Sequence, residues 1–287
     1  MEPMSKKVKI TVDSTCDMTP ELCKQYGVTV IPLNILLGAQ SYDDGIDVTP
    51  DDIFAYYERT GTTAKTAAVA PHTYLSLFEQ YTKDGYEVVH LGFSSKLSSS
   101  FQNAMIAAGE WEGVYPVDTK SLCTGMALLV IKACEMRDAG LPAEEIANQI
   151  SYLRQKVHTT FILNTLDYLS RGGRCSAVTA FGANILGIKP SIEMVDGALE
   201  VGKKYRGKIE AVYGQYIRDQ LVHPETLDLD RAFLSHSGGG ISAETLQAMK
   251  QEILKCAPFK EVIITRAGCT ISAHCGPKTA TVMYMTK

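Results

Sequence analysis

Apolar and polar positions along the first half of the chain follow a strand–helix rhythm. Residues 8–12, 28–37, 87–93 and 114–117 are short apolar runs rich in β-branched side chains, the pattern of buried strands. Helix-start signals stand between them. Thr19-Pro20-Glu21 and Thr49-Pro50-Asp51-Asp52 each offer a capping threonine followed by proline at the first helical position. Pro71 opens an amphipathic segment that Gly85 ends, and a further helix is predicted over about 101–111. Residues 121–139 form a long apolar helix with Gly140 at its C-terminal cap, and Pro142 starts another with Glu144 and Glu145 in its first turn. This alternation predicts a mostly parallel sheet with helices on both faces. Such sheets place ligands in the loops beyond the strands' C-terminal ends. Asp13-Ser14-Thr15 and the serine loop SSKLSSS, residues 94–100, stand at two such ends.

The second half is patterned differently. Asp196-Gly197 sits between two strand-like runs, 191–195 and 199–203, and signals a hairpin. Further strands are predicted at 159–163, 232–235, 262–265 and 281–285, with helices at 177–186, 208–221 and 242–254, while RGGRCS, 171–176, reads as a polar turn and ISAHCGP, 271–277, as a Gly/Pro loop. The fold class is therefore α/β in two domains. Residues 1–160 carry the N-terminal mostly parallel sheet, and 161–287 form a C-terminal mixed-sheet α/β domain, with the boundary inside 156–164.

Composition narrows the function classes. The chain has 287 residues, 45% hydrophobic and 21% charged, with a formal net charge of -4. No basic excess points to nucleic acid. No apolar run approaches the roughly 18 residues of a membrane span, and the N-terminal segment lacks the apolar core of a signal peptide. The eight cysteines are irregularly spaced and form no CxxC pair, so they read as reduced thiols of a cytoplasmic protein. Cys269, His274 and Cys275 could begin a zinc site, but no fourth ligand is evident.

Several segments could carry chemistry. The five serines of the 94–100 loop bridge a strand end to a helix start, where free N–H groups favour a carboxylate or phosphate; capping is the competing reading. Thr66 is a second loop hydroxyl, and a structural threonine is its alternative. His274, among small residues near a Gly-Pro, reads as a hydrogen-bond donor, a base or a structural histidine. The segment SHSGGGIS, 235–242, matches no phosphate-loop pattern and reads as a flexible connection. The basic groups Arg171/Arg174 and Lys203/Lys204/Arg206 could hold an anionic head group or a partner, or simply face solvent.

These motifs, in order, resemble the DegV family, which includes the fatty-acid-binding subunits of bacterial fatty acid kinase. The resemblance spans essentially the whole chain: VDSTCDMT, VIPLNI, Lys65-Thr66, LGFSSKLSSSFQNA, VDTKSLCTGMALLV, RGGRCS, LGIKP with DGALE, and ISAHCGP. It implies a tunnel between the two domains that holds one long-chain fatty acid such as palmitate, with no other cofactor and no metal. It further implies that Thr66 and Ser98 hold the carboxylate, that Ser99 belongs to the binding loop, and that Arg206 and His274 support the head group or its transfer to a kinase partner. A monomeric binding protein, not an enzyme, is the expectation. The alternative is a hydrolase or acyl-transfer enzyme built on Ser98 and His274.

Two positions depart from the family pattern. Ala67-Ala68-Val69 replaces a Ser-Gln-Pro stretch, and Ser99 stands where glycine is usual, which predicts backbone strain there. The physics suits a lipid. About 14 buried methylenes, at about 0.8 kcal/mol each, supply on the order of 10 kcal/mol before ordering costs. The carboxylate then needs donors rather than more apolar surface.

Overall fold

The computed structural model describes residues 7–176 and 187–287; the helix predicted over 177–186 lies outside the described residues. The first sheet runs β2 (Thr29–Ile31), β1 (Lys7–Asp13), β6 (Tyr86–Gly92) and β7 (Val114–Asp118), every pairing parallel. The helices arrive where the signals place them. In α1 (Pro20–Tyr26) the Thr19 side chain accepts from Leu22 N–H. In α2 (Pro50–Thr60) Thr49 and Asp52 form a full capping box. Helices α3 (Pro71–Lys83) and α4 (Ser100–Ala108) pack on each other and on β6 and β7.

Helix α5 (Thr124–Asp138) is buried around nearly its whole circumference from Thr124 to Cys134. It touches β1 of the first sheet and β8 (Val157–His158), β12 (Leu227–His236) and β14 (Ala280–Thr286) of the second. A helix clasped between two sheets has no solvent face, so its sequence is apolar all round. Helix α6 (Ala143–Leu153) lies between α5 and the β6–β7 side of the first sheet.

The second sheet is mixed, in the order β11 (Ala198–Arg206), β10 (Ile188–Val195), β9 (Thr160–Ile162), β14, β12 and β13 (Glu261–Arg266), with β8 also on β14. Only β12 and β13 pair in parallel among these described strands. The Asp196-Gly197 turn has both residues at positive φ, 46° and 86°, as a two-residue hairpin of this hand requires. Helices α8 (Ile209–Gln220) and α9 (Ala243–Cys256) pack together over this sheet around Tyr213, Tyr216 and Phe233's neighbour Leu234.

Three features differ from the sequence reading. The run 28–37 is two strands, not one: Pro32 cannot donate to a ladder, and the chain leaves the first sheet there. Beyond the break, β3 (Asn34–Leu37) pairs with β4 (Gln40–Asp43) and β5 (Lys65–Ala67) in a small antiparallel sheet that the sequence reading lacked. RGGRCS begins within a short helix, α7 (Asp167–Gly172), rather than forming a turn throughout. And the ISAHC segment is helical, α10 (Cys269–Cys275), where a loop was expected. One apolar cluster reaches from Ile10 and Leu91 of the first sheet to Phe161, Phe233 and Met283 of the second, so the two sheets share a core.

Candidate functional site

Where the sheets meet, a cavity with an atom-free volume of about 770 Å³, mouth included, runs between side chains of the second sheet and those of the loops beyond the first sheet's strands. Its wall is mostly apolar: Leu33, Phe93, Leu97, Leu122, Phe161, Leu169, Leu199, Ile271 and Met283. Polar groups enter at few points. Thr66, Ser98, His274 and Arg174 line it, as do Thr270 and the Ser235–Ser237 stretch.

Thr66 is placed by β5, opposite Ile35 of β3. Its Oγ1 lies 2.9 Å from His274 Nε2, a contact spanning 208 positions of sequence. The imidazole is held well below its usual range, to about 4, because burial disfavours the charged ring and the Arg174 guanidinium repels it. It is therefore neutral near pH 7. Its Nδ1 is buried with no hydrogen-bond partner among the described residues. A Cβ at Gly172 would come within 2.2 Å of that nitrogen, so only glycine lets α7 approach the ring this closely.

Helix α10, which carries His274, is tethered at its other end by two carboxylates from the first part of the chain. Asp17 Oδ1 accepts from Gly268 N–H at 2.8 Å, and Asp44 accepts from Cys269 N–H at 2.7 Å and Thr270 N–H at 3.3 Å. Ser14, from the DST motif, donates to Asp44 Oδ2 at 2.9 Å. Burial pushes the Asp17 carboxyl up to about 8. Asp13, also of DST, serves the fold: Tyr74 Oη donates to it at 2.6 Å and Phe93 N–H at 2.8 Å, which ties the ends of β1 and β6 together.

The serine loop resolves into separate tasks. Ser94 donates to Gly197 O at 2.7 Å, holding the hairpin tip, and Ser95 donates to Asp118 at 2.6 Å. Ser100 Oγ accepts from Val69 N–H at 3.2 Å, while Asn103 donates to Val69 O at 2.8 Å. These bonds stitch the Ala67-Ala68-Val69 segment to α4 and set Ala67 and Ala68 in the cavity wall. Ser98 alone of the five serines lines the cavity. Its Oγ accepts from Ser100 N–H at 3.1 Å and lies 2.9 Å from Ser100 Oγ.

The structure thus brings Thr66, Ser98 and His274 to one cavity and leaves two expected residues outside it. Ser99 is exposed and precedes α4 with φ −79°, an ordinary right-handed conformation; the strain expected there is absent. Arg206 is exposed at the end of β11, opposite Ile188, and is not among the described residues lining the cavity. The arginine at the cavity is Arg174, whose Nη1 donates to Gly172 O at 2.8 Å and Nε to Leu97 O at 3.5 Å. Its signal was the basic pair with Arg171. The Ser98–His274 couple needed for a hydrolase is not formed: each side chain is engaged elsewhere, Ser98 with Ser100 and His274 with Thr66. Cys269 Sγ donates to Val48 O at 3.2 Å, and no cluster of three potential metal ligands gathers among the described residues. No described helix is long and apolar enough to cross a membrane.

The sequence matches the family model described as "Uncharacterised protein, DegV family" over residues 7–287. The chain belongs to the DegV family. A DegV domain-containing protein of Clostridium acetobutylicum is 30% identical over 98% of this chain and 99% of its own. Among solved structures, a Thermus thermophilus DegV protein described by its fatty acid binding superposes with a TM-score of 0.90 at 27% identity, covering 98% of this chain and 100% of that one. The Streptococcus pneumoniae Fatty Acid Kinase B3 protein, loaded with linoleic acid, shares the DegV fold at a TM-score of 0.83 and 22% identity, over 98% and 100% of the two chains.

Proposed function

We propose that this DegV protein binds one long-chain fatty acid, with its alkyl chain along the apolar wall and its carboxylate on Thr66 and Ser98. The observation that carries the reading is that Thr66 and Ser98 line one apolar cavity, each with its hydroxyl set against a protein partner, Thr66 against His274 and Ser98 against Ser100. A neutral His274 with its proton on Nε2 donates to Thr66 Oγ1, which leaves the threonine's own hydrogen for an acceptor. Ser98 Oγ accepts the Ser100 N–H and, with Ser100 donating, the Ser100 hydroxyl as well. A hydroxyl that already accepts from the protein has its own hydrogen left to give, and an anion is the ligand that suits two such donors. The Arg174 guanidinium adds positive potential at the same cavity.

His274 thus acts through Thr66. Placing its proton on Nε2 leaves Nδ1 as a buried, unpaired acceptor beside Gly172, a lesser penalty than a buried unpaired donor next to the Arg174 charge. The dry Ala67-Ala68 wall extends apolar surface up to Thr66, which favours a fully covered first stretch of chain. The fatty acid binding described for the Thermus thermophilus relative supports the ligand class. Presentation of the carboxylate to a fatty acid kinase is the role the family resemblance implies.

The test is titration with palmitate of the wild type and of a Thr66→Val, Ser98→Ala double variant. Binding at one fatty acid per chain, weakened in the double variant while its ligand-free melting temperature holds, is expected. Equal affinity of the two proteins would remove the head-group assignment.

A further inference from the structure

The polar groups of the cavity do not end at the head-group pair. Thr270 sits four residues before His274 on α10, so the two side chains share a face about 6 Å apart along the helix axis. Thr270 lines the cavity and is only 2% exposed, and its Oγ1 has no hydrogen-bond partner among the described residues. Its backbone is pinned, because its N–H is given to Asp44 Oδ2. The hydroxyl also makes no bond back to a carbonyl of its own helix, the usual recourse of a helical threonine.

The neighbouring wall sharpens the contrast. Ser235 Oγ is engaged by Thr124 at 2.7 Å and Thr265 at 2.8 Å. Ser237 Oγ donates to Gly276 O at 2.7 Å and accepts from Thr279 N–H at 3.1 Å. His236, which also lines the cavity, accepts from Gly238 N–H at 3.1 Å through Nδ1, so its neutral ring carries the proton on Nε2. The His236 carbonyl accepts from Ala267 N–H at 2.9 Å, which keeps this strand end beside the start of α10. The hydroxyls around Thr270 are thus satisfied within the protein, and Thr270 is not.

A plain alkyl chain cannot supply the missing partner. It would bury the Thr270 hydroxyl against methylenes, the case in which an unmade hydrogen bond costs most. A valine of nearly the same shape would serve such a chain better. We propose that this stretch of wall recognises an oxygen on the acyl chain itself, so that the preferred ligand is a fatty acid bearing a hydroxyl a few carbons from the carboxylate, paired with Thr270 Oγ1. The inference rests on the fatty-acid reading above and adds its chemical subclass. A site that hydrogen-bonds a ligand hydroxyl discriminates against the analogue lacking it, because its own polar group is then left unpaired.

The experiment is a binding series with the full-length protein: palmitate and its monohydroxylated isomers, with the hydroxyl walked from the carboxylate to the chain end. At least one isomer near the carboxylate is expected to bind about tenfold more tightly than palmitate. Thr270→Val is expected to abolish that preference while holding palmitate as well as or better than the wild type, and Thr270→Ser is expected to keep it. Should every hydroxylated isomer bind more weakly than palmitate, or should Thr270→Val leave the affinity ratio unchanged, the proposal fails and a trapped water is the partner of Thr270. The wild-type series decides the matter even if the valine variant does not fold. Loss of binding to palmitate and all isomers alike would instead overturn the fatty-acid reading on which the proposal stands.

Discussion

The serine loop and α10 line the same cavity but differ in how their polar groups are engaged. The loop is secured at several independent points: Ser94 holds Gly197, Ser95 holds Asp118, Ser100 holds Val69, and Ser98 is braced by Ser100 two residues on. Helix α10 is short and is secured from far along the chain, by Asp17 and Asp44 at one end and Thr66 at the other. The loop leaves one hydroxyl for a ligand. The helix leaves two buried polar atoms, Thr270 Oγ1 and His274 Nδ1, without partners among the described residues. The loop's contribution therefore survives single changes, whereas that of α10 depends on each of its tethers.

The largest expected effect comes from cutting a tether. Asp44→Ala removes an acceptor shared by two buried N–H groups and Ser14. A loss of about 3 kcal/mol in unfolding free energy, read from denaturant midpoints, is expected. A loss below about 1 kcal/mol would mean that α10 does not depend on this clamp.

Next is the head group. Thr66→Val with Ser98→Ala removes two hydrogen bonds to a charged ligand, about 3 kcal/mol together or roughly 150-fold in palmitate affinity. Gly172→Ala should follow the same direction with a smaller effect, since the added methyl displaces the imidazole that orients Thr66. Isothermal titration distinguishes these from a change in fold.

The two ends of α10 also titrate oppositely. His274 is lowered to about 4 from the ordinary 6.5, so between those values the unfolded chain binds more protons than the folded one. Its stabilising contribution is present above pH 6.5 and is lost as pH falls toward 4. Asp17 is raised from 3.8 to about 8, so the folded chain binds more protons across that window. Its contribution is present below about pH 4 and is lost as pH rises through 8. His274→Gln should flatten the acid limb of a stability–pH profile and Asp17→Asn the alkaline limb. Coincident profiles for wild type and variants would contradict both assignments. The smallest effect belongs to the loop: Ser95→Ala, at an exposed bond to Asp118, should change stability by less than about 0.5 kcal/mol.

The same contrast explains what the sequence made legible. The parallel sheet, the capped helices and the hairpin are written in local patterns: Thr49 with Asp52, Asp196 with Gly197, and the serine cluster after an apolar run. The serine loop was visible for that reason, although the choice of Ser98 within it came from the family motif. Thr66 and His274 came from the family motifs, since nothing in either short segment shows that they meet across 208 positions. Helix α10 was invisible because its N-terminal donors are capped by Asp17 and Asp44 rather than by a residue of its own, so no start signal precedes it. The small sheet was missed because its strands are three or four residues long. Arg206 was chosen over Arg174 on motif position, while the folding of α7 beside α10 is what carries Arg174 to the cavity.

The most direct test of the account is a native mass spectrum of the purified protein with added palmitate and oleate, recorded alongside the Thr66→Val, Ser98→Ala variant. One fatty acid per wild-type chain, removable by solvent extraction, and a much reduced adduct in the variant are expected. A wild-type protein that takes up neither acid and shows no shift in melting temperature with either would contradict the fatty-acid reading.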